Sequence, residues 1–205
     1  NYFARTIAHN TVTVYDPAEK FTGGTWAHSS NIPVANDGGH DYVGGASMPE
    51  DFKDDSPYHK GRILAFLHKP EFTYVIGDAT GYFKPYKVKE HQRAFLHVEP
   101  DLFIVFDRVE STNPSFKKRW LLHTAVEPVL DGPEITATNG DGVLWCRTLM
   151  PDGPEIVVVP PPAGAESTGR GRNRPEPEVD VDQYPPGYPG QWRVEISPRE
   201  PAKRD

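Results

Sequence analysis

Apolar and polar residues alternate with a period of two along most of this 205-residue chain, and a helical period is almost absent. Thr11 to Tyr15 alternates in this way, and His91 to Val98 and Leu102 to Val109 are two strong strand candidates separated by Glu99-Pro100-Asp101. Two strands around a short turn predict a β-hairpin. The segment Arg62 to Leu67 is almost continuously apolar, which predicts a strand buried on both faces.

Further strand candidates follow at intervals of roughly 8–12 residues, with turn residues between them. The chain has 22 prolines and 18 glycines, which break helices and shape turns. This rhythm predicts an all-β fold, an antiparallel two-sheet β-sandwich of about ten or more strands. The other candidate strands are 72–76, 117–124, 134–138, 143–149, 155–159 and 191–196.

Two regions interrupt the strand pattern. Residues 20–60 are rich in glycine, aspartate, histidine and aromatic residues, which predicts one long irregular loop that is packed rather than disordered. Residues 160–190 are rich in proline and glycine, which predicts a flexible surface excursion. Residues 1–205 are therefore predicted to form a single β-sandwich domain that carries both insertions.

Composition excludes several classes of protein. The net charge of −7 argues against non-specific binding to nucleic acid, which needs a basic face. No apolar run approaches the roughly 18 residues of a membrane span. The single cysteine, Cys146, excludes an internal disulfide framework and is interpreted as an inert buried thiol. The basic runs are interpreted as solvated strand faces; they contain Lys84, Lys87, Lys89, Arg93, Lys117, Lys118 and Arg119.

The first residues of the chain carry its most site-like motif. His9 lies between Arg5 and Thr11, beside Asn10, immediately before a predicted strand. Neither an initiator methionine nor a signal peptide precedes it, so we expect a fragment truncated at both ends whose functional partners lie upstream. The structural alternative for His9 is a strand-entry histidine bonded to the backbone.

Five segments, in their order along the chain, resemble the C-terminal β-sandwich domain of the heparinase II/III-like polysaccharide lyases. Each is weak alone, and the ordered set is fairly specific. The resemblance covers residues 1 to about 150 and resumes at 192–203. The segments are Arg5–Val12, Gly61–Ile63, Tyr74–Thr80, Val105–Val109 and Lys118–His123.

The resemblance implies a parent enzyme with an N-terminal helical toroid domain that is not present in this chain. Such enzymes are periplasmic or secreted and cleave uronate-containing acidic polysaccharides by β-elimination. The resemblance also implies a zinc ion bound by His9 together with a histidine and an aspartate upstream. Because zinc sites use three or four protein ligands, we expect at most a partial metal site here and an inactive isolated chain. No catalytic residue is assigned within it.

Several polar and aromatic residues are candidate substrate contacts. If the long loop faces the cleft, four of its residues are candidates for sugar stacking and carboxylate contacts, and a self-packed loop is an equally good interpretation. They are His28, His40, His59 and Tyr42. For Arg5 and Asn10 the alternatives are a surface ion pair and turn chemistry. Asp78 and His123 fit hydrogen-bonded structural roles better than metal ligation, and Asp107-Arg108 is interpreted as an ion pair that closes a strand end. The predicted substrate-binding residues are Arg5, Asn10, Trp26, His28 and Tyr42.

Two other classes of function remain open from the residues. One is a non-catalytic carbohydrate-binding module, and the other is a structural β-sandwich that packs against another domain. A binding module would show glycan affinity in isolation. The resemblance to the lyases implies a His-x-His segment followed by an aspartate just before Asn1, and before that a helical toroid domain with a catalytic tyrosine.

Overall fold

The computed structural model describes residues 6–22, 33–34, 36–40, 53, 59–160 and 192–204. These residues form thirteen strands and two short 3-10 turns, at Thr6–Ala8 and Thr80–Tyr82. Every strand pairing in the described part of the chain is antiparallel, so the predicted all-β class is confirmed. The strands are β1 (Val12–Tyr15), β2 (Phe21–Thr22), β3 (Pro33–Val34), β4 (Arg62–Lys69), β5 (Phe72–Asp78), β6 (Val88–Val98), β7 (Leu102–Ser111), β8 (Lys117–Thr124), β9 (Val129–Asp131), β10 (Glu134–Asn139), β11 (Gly142–Arg147), β12 (Glu155–Val159) and β13 (Trp192–Ser197).

The strands group into two compact units. The first unit contains a four-stranded sheet in the order β1-β8-β13-β12, a three-stranded sheet in the order β11-β10-β9, and the β2-β3 pair. The second unit contains a four-stranded sheet in the order β4-β5-β6-β7. No helix in the described part of the chain is long and apolar enough to cross a membrane.

The first unit is a two-layer β-sandwich. Ile135 on β10 is fully buried and packs against Val194 and Ile196 on β13. Side chains from one face of each sheet therefore meet in one core, as in aligned sandwiches. The half-buried residues around this centre are Trp120, Leu122, Cys146, Ile156 and Val158. Burial raises the pKa of the Cys146 thiol, which agrees with its interpretation as an inert thiol.

The second unit is a meander of three consecutive hairpins. The predicted hairpin between β6 and β7 is confirmed, because Val98 pairs with Leu102 across the Glu99-Pro100-Asp101 turn. On β6 and β7, Arg93 pairs with Asp107, and its guanidinium contacts both carboxylate oxygens at 2.8 and 2.9 Å. This ion pair ties the edge strand β7 to its neighbour β6 on one face of the sheet.

The apolar residues of this second sheet are exposed on both of its faces. Phe66 is 68% exposed and Ile63 is 66% exposed, although both belong to the most apolar segment of the chain. Leu67, Ile104 and Phe106, on the opposite face, are also exposed. The prediction that Arg62 to Leu67 is buried on both faces is therefore wrong for the described residues. The periodicity of the sequence shows how apolar each face of a strand is. Such a face is buried only where another part of the protein covers it.

Three short strands are missing from the sequence-based prediction. β2 and β3 lie inside the stretch predicted as an irregular loop, and β9 is too short to show a period. Most of residues 20–60 and of residues 160–190 lies outside the described residues, so the predictions of a packed loop and a flexible excursion stay predictions.

The sandwich core leads to a stability prediction. Ile135→Ala removes the side chain at the centre of the first unit, so the free energy of unfolding should fall by about 2–5 kcal/mol. Val143→Ala on β11 is a matched control, because Val143 is 65% exposed; its effect should stay within about 0.5 kcal/mol. Urea unfolding of the 205-residue chain measures both. Equal effects for the two variants would contradict this position of the core.

Candidate functional site

The His9 motif is anchored to strand β8 of the first unit. Ile7 and Leu121 are both fully buried and pack against each other. The Leu121 amide donates to the carbonyl of Thr11 at 2.8 Å, and the His9 amide donates to the carbonyl of Thr6 at 3.1 Å. The turn is therefore held by one apolar contact and by backbone bonds, and it presents His9 and Asn10 at the surface.

Asn10 is bonded to His123, which is 113 residues away in the sequence. The Asn10 Oδ1 atom accepts the His123 backbone N–H at 2.8 Å and lies 3.0 Å from the ring nitrogen Nδ1. Because an amide oxygen can only accept, Nδ1 carries the ring proton. The other ring nitrogen, Nε2, then holds a lone pair; it is buried and has no hydrogen-bond partner.

The surroundings of His123 keep its ring neutral. Burial lowers the pKa of His123 to about 4, with the Arg193 guanidinium as the second cause and a smaller contribution from the imidazole of His9. The Ile7 carbonyl and the Glu195 carboxylate act in the opposite direction and do not compensate. At neutral pH His123 is therefore an uncharged imidazole whose Nδ1–H donates to the Asn10 Oδ1 atom.

A row of buried charges continues from His123 across the same face of the sheet. Arg193 lies directly opposite His123 in the register of β8 and β13. Its guanidinium is 2.7 Å from the Glu195 carboxylate, which is also 3.6 Å from Arg119. Arg119 donates in addition to the backbone carbonyl of Asp37 at 3.0 Å. All three charged side chains are largely buried, so each needs its partner.

The structure brings together two of the predicted site residues. His9 and Asn10 lie side by side at the surface of the first unit, and Asn10 is bonded to His123. The interpretation of His123 as a hydrogen-bonded residue agrees with this contact. The remaining candidates, Arg5, Trp26, His28 and Tyr42, lie outside the described residues, and their roles stay predictions.

The solvated-face interpretation of the basic runs is wrong for three residues. Arg119 and Lys118 are buried on β8, and Lys87 is completely buried, with its ammonium 5.6 Å from the centre of the Phe83 ring. The interpretation holds for Lys117 and Lys89, whose side chains are about half exposed. Strand parity does not distinguish these residues, because Lys117 and Arg119 lie on the same face of β8. The long-range partner of Arg119, Glu195, gives no local signal in the sequence.

Asp78 and Asp107 have structural partners in the second unit. Asp78 accepts the Thr80 amide and pairs with Arg62; burial opposes its ionisation, but these bonds outweigh it and lower the pKa of Asp78. Burial likewise opposes ionisation of Asp107, and the bonds from His91 and Arg93 outweigh it and lower the pKa of Asp107. Both carboxylates are ionised and engaged at neutral pH, which agrees with the hydrogen-bonded role predicted for Asp78. The prediction of an Asp107-Arg108 ion pair at a strand end is wrong, because adjacent strand residues point to opposite faces: Asp107, within β7, pairs with Arg93, and Arg108 lies 3.6 Å from Glu90.

The donor set of the first unit is consistent with part of a metal site. His9 is exposed, and the Nε2 lone pair of His123 has no hydrogen-bond partner. Within the described residues there is no group of three or more histidine, cysteine, aspartate or glutamate side chains that could hold a metal ion. Two imidazoles are fewer than the three or four ligands that zinc uses, so further ligands would be needed.

The depressed pKa of His123 predicts how stability depends on pH. Between its ordinary value of 6.5 and about 4, the unfolded chain binds a proton that the folded chain does not. Stability is therefore complete above pH 6.5 and falls as the pH decreases toward 4. The size of the pKa shift limits this loss of folding stability to about 3 kcal/mol, and the partial exposure of the ring makes the actual loss smaller.

Urea unfolding at pH 7 and at pH 4.5 measures this effect. The loss of stability between these two pH values should be smaller in His123→Gln than in the unmodified chain, by roughly 1–3 kcal/mol. His68→Gln is the control, because His68 is an exposed histidine on β4. If His123→Gln lost as much stability between the two pH values as the unmodified chain, the lowered pKa of His123 would be contradicted.

Comparison with known proteins places this geometry in a family. The profile described as "Heparinase II/III-like, C-terminal" matches residues 1–178. A search among curated proteins finds no match to the chain. The matched region contains the His9 turn, all of the second sheet and strand β8, which carries His123. Since the match spans most of its length, the chain belongs to the heparinase II/III-like C-terminal domain family.

Proposed function

We propose that this chain is part of a polysaccharide lyase that cleaves an acidic, uronate-containing polysaccharide by β-elimination. Family membership supports a lyase as the parent protein. The observation that carries the proposal is the exposed turn with His9 and Asn10, which a hydrogen bond to a neutral, half-buried His123 holds in place. This arrangement keeps polar ring and amide groups in fixed positions at the surface.

β-Elimination makes defined demands on its catalyst. A base removes the proton on C5 of the uronate, a double bond forms between C4 and C5, and the C4–O4 bond breaks as an acid protonates the departing O4. The C5 proton is only weakly acidic, so the neighbouring carboxylate must be neutralised by hydrogen bonds or positive charge. The base and the acid must also lie within hydrogen-bonding reach of these atoms.

Asn10 has the geometry of a residue that helps to neutralise the uronate carboxylate. Its Oδ1 receives two donors from His123, which fixes the plane of the amide. The amide nitrogen Nδ2, a donor, then lies on the opposite side of the group. We infer that it contributes to binding the uronate carboxylate and that His123 acts on the substrate through Asn10 as a positioning residue.

We infer further that His9 is a zinc ligand of the complete enzyme. Its exposed position leaves room for ligands from another part of the parent protein. Zinc bound there would fix the imidazole and add positive charge near the carboxylate. The described residues of the isolated chain supply too few ligands for tight binding, so we expect it to be inactive by itself.

The second sheet provides the surface on which another domain would pack. A sheet with two apolar faces is typical of a sheet covered on both sides. We infer that the helical toroid domain of the parent protein covers part of this surface, and that the complete enzyme is periplasmic or secreted. The row of Phe66, Val75, Phe95 and Val105 crosses one whole face of the sheet, and its two end residues, Phe66 and Val105, are exposed.

Activity of the full-length parent protein tests the proposal. With uronate-containing polysaccharides of the heparan, hyaluronan, alginate and glucuronan types, we expect at least one to yield the ultraviolet-absorbing unsaturated uronate. Asn10→Ala should lower kcat/KM by roughly 10–100-fold, as expected for a residue that orients a ligand or substrate group. His68→Ala, which removes an exposed imidazole elsewhere, should not change it. The absence of unsaturated product with every substrate would refute the proposal.

Stability of the parent protein tests the packing surface. If another domain covers Phe66, Phe66→Ala should lower the free energy of unfolding of the parent by about 3 kcal/mol. In the isolated chain, where Phe66 is exposed, the loss should stay below about 1 kcal/mol. Tyr86→Ala is the control, because Tyr86 is an exposed aromatic residue outside the strands. A small loss in both proteins would show that this face stays open.

A further inference from the structure

The three-stranded sheet β9–β11 has an outer face on which an exposed tryptophan lies among polar groups. Its inner face contributes Ile135 and Cys146 to the sandwich core. The alternation of strand side chains then places Val129, Thr136 and Trp145 in one row across the outer face. Trp145 is 56% exposed, although tryptophan is usually well buried.

The indole of Trp145 is fixed along the sheet surface. Its Nε1–H donates to the Glu134 Oε2 atom at 3.3 Å, and Glu134 lies on the adjacent strand on the same face. A ring that is tied to a neighbour in this way extends over the sheet. Exposed Val143 lies two residues before Trp145 on β11 and extends the apolar strip by roughly 6–7 Å.

Hydrogen-bonding groups line one side of this strip. The register places Asp131, Glu134 and Arg147 in the next row, and Arg147 Nη1 is 3.8 Å from Glu134 Oε1. A carboxylate accepts hydrogen bonds and a guanidinium donates them, so the pair can bind neighbouring hydroxyl groups. Two carboxylates and one guanidinium give this row a net charge of −1, which disfavours an anionic ligand.

We propose that the outer face of the β9–β11 sheet binds an uncharged pyranose residue of a polysaccharide. The apolar face of the sugar ring packs on the indole of Trp145, while Glu134 and Arg147 bind its hydroxyl groups. The strip is about one ring wide and has charged groups beside it, which a protein interface would have to desolvate. This site is separate from the His9 turn and does not depend on lyase activity.

Titration of the 205-residue chain with oligosaccharides tests the proposal. The probes are uncharged hexaoses of glucose, mannose and galactose, with a hyaluronan hexasaccharide as the acidic comparison. The Nε1–H signal of Trp145, assigned by its loss in Trp145→Phe, should shift with at least one uncharged hexaose. Binding should be at least about tenfold weaker in Trp145→Ala. Glu134→Gln, which keeps the ring and the fold, should also weaken it.

The matched control is Tyr86→Ala, which removes an equally exposed aromatic ring outside this face and should leave binding unchanged. Three results would overturn the proposal. They are the absence of a response to every uncharged hexaose, stronger binding of the acidic hexasaccharide, and affinity that survives Trp145→Ala. If the unmodified chain responds to no oligosaccharide and Trp145→Ala sediments differently from it, the face is instead a protein interface.

Discussion

The pairing of β1 with β8 is the interaction on which the candidate site depends. Val12 lies opposite Trp120 and Thr13 opposite Arg119, so the residues just before β1 are carried to the His123 end of β8. The Thr11–Leu121 backbone bond continues this register, and the Ile7–Leu121 contact closes the turn over it. A shift of one residue would move every side chain of the strand to the other face and separate Asn10 from His123.

The same register gives the β1-β8-β13-β12 sheet two different faces. Trp120, Leu122, Val194 and Ile196 point into the sandwich core. Their neighbours in sequence point the other way, where Arg119, Glu195 and Arg193 form a buried charged row. Burying charges is costly unless they are paired, so this row contributes more to fixed geometry than to net stability. His123 is at the end of the row, where burial and the Arg193 charge keep it neutral. The chemistry available to the ring is therefore set by strand pairing far from its own sequence neighbours.

Local patterns in the sequence predict the strands well and their partners poorly. The period of two identifies β6 and β7 and the turn between them, because each signal lies within ten or so residues. The contact between Asn10 and His123 joins positions 113 residues apart, and no local pattern encodes it. Arg119 resembles the exposed Lys117 in its sequence setting, and it is buried because Glu195 and the carbonyl of Asp37 lie within reach. The His9 motif was found through its resemblance to a family, and the structure adds the residue that holds it.

The three-stranded β9–β11 sheet and the four-stranded β4–β7 sheet differ in what their apolar residues imply. In β10 polar and apolar residues alternate, and Ile135 and Ala137 are buried on the core face, while the other face of this sheet carries Trp145 with polar neighbours. In β4 and β7 the apolar run is nearly continuous, and large side chains are exposed on both faces. Alternation is the pattern of a sheet that meets water on one side, and continuous runs are the pattern of a sheet that is covered on both. The outer face of the β9–β11 sheet is thus suited to a ligand that arrives through water. The β4–β7 sheet is suited to a permanent protein partner, because leaving so much apolar surface in water has a high cost in free energy.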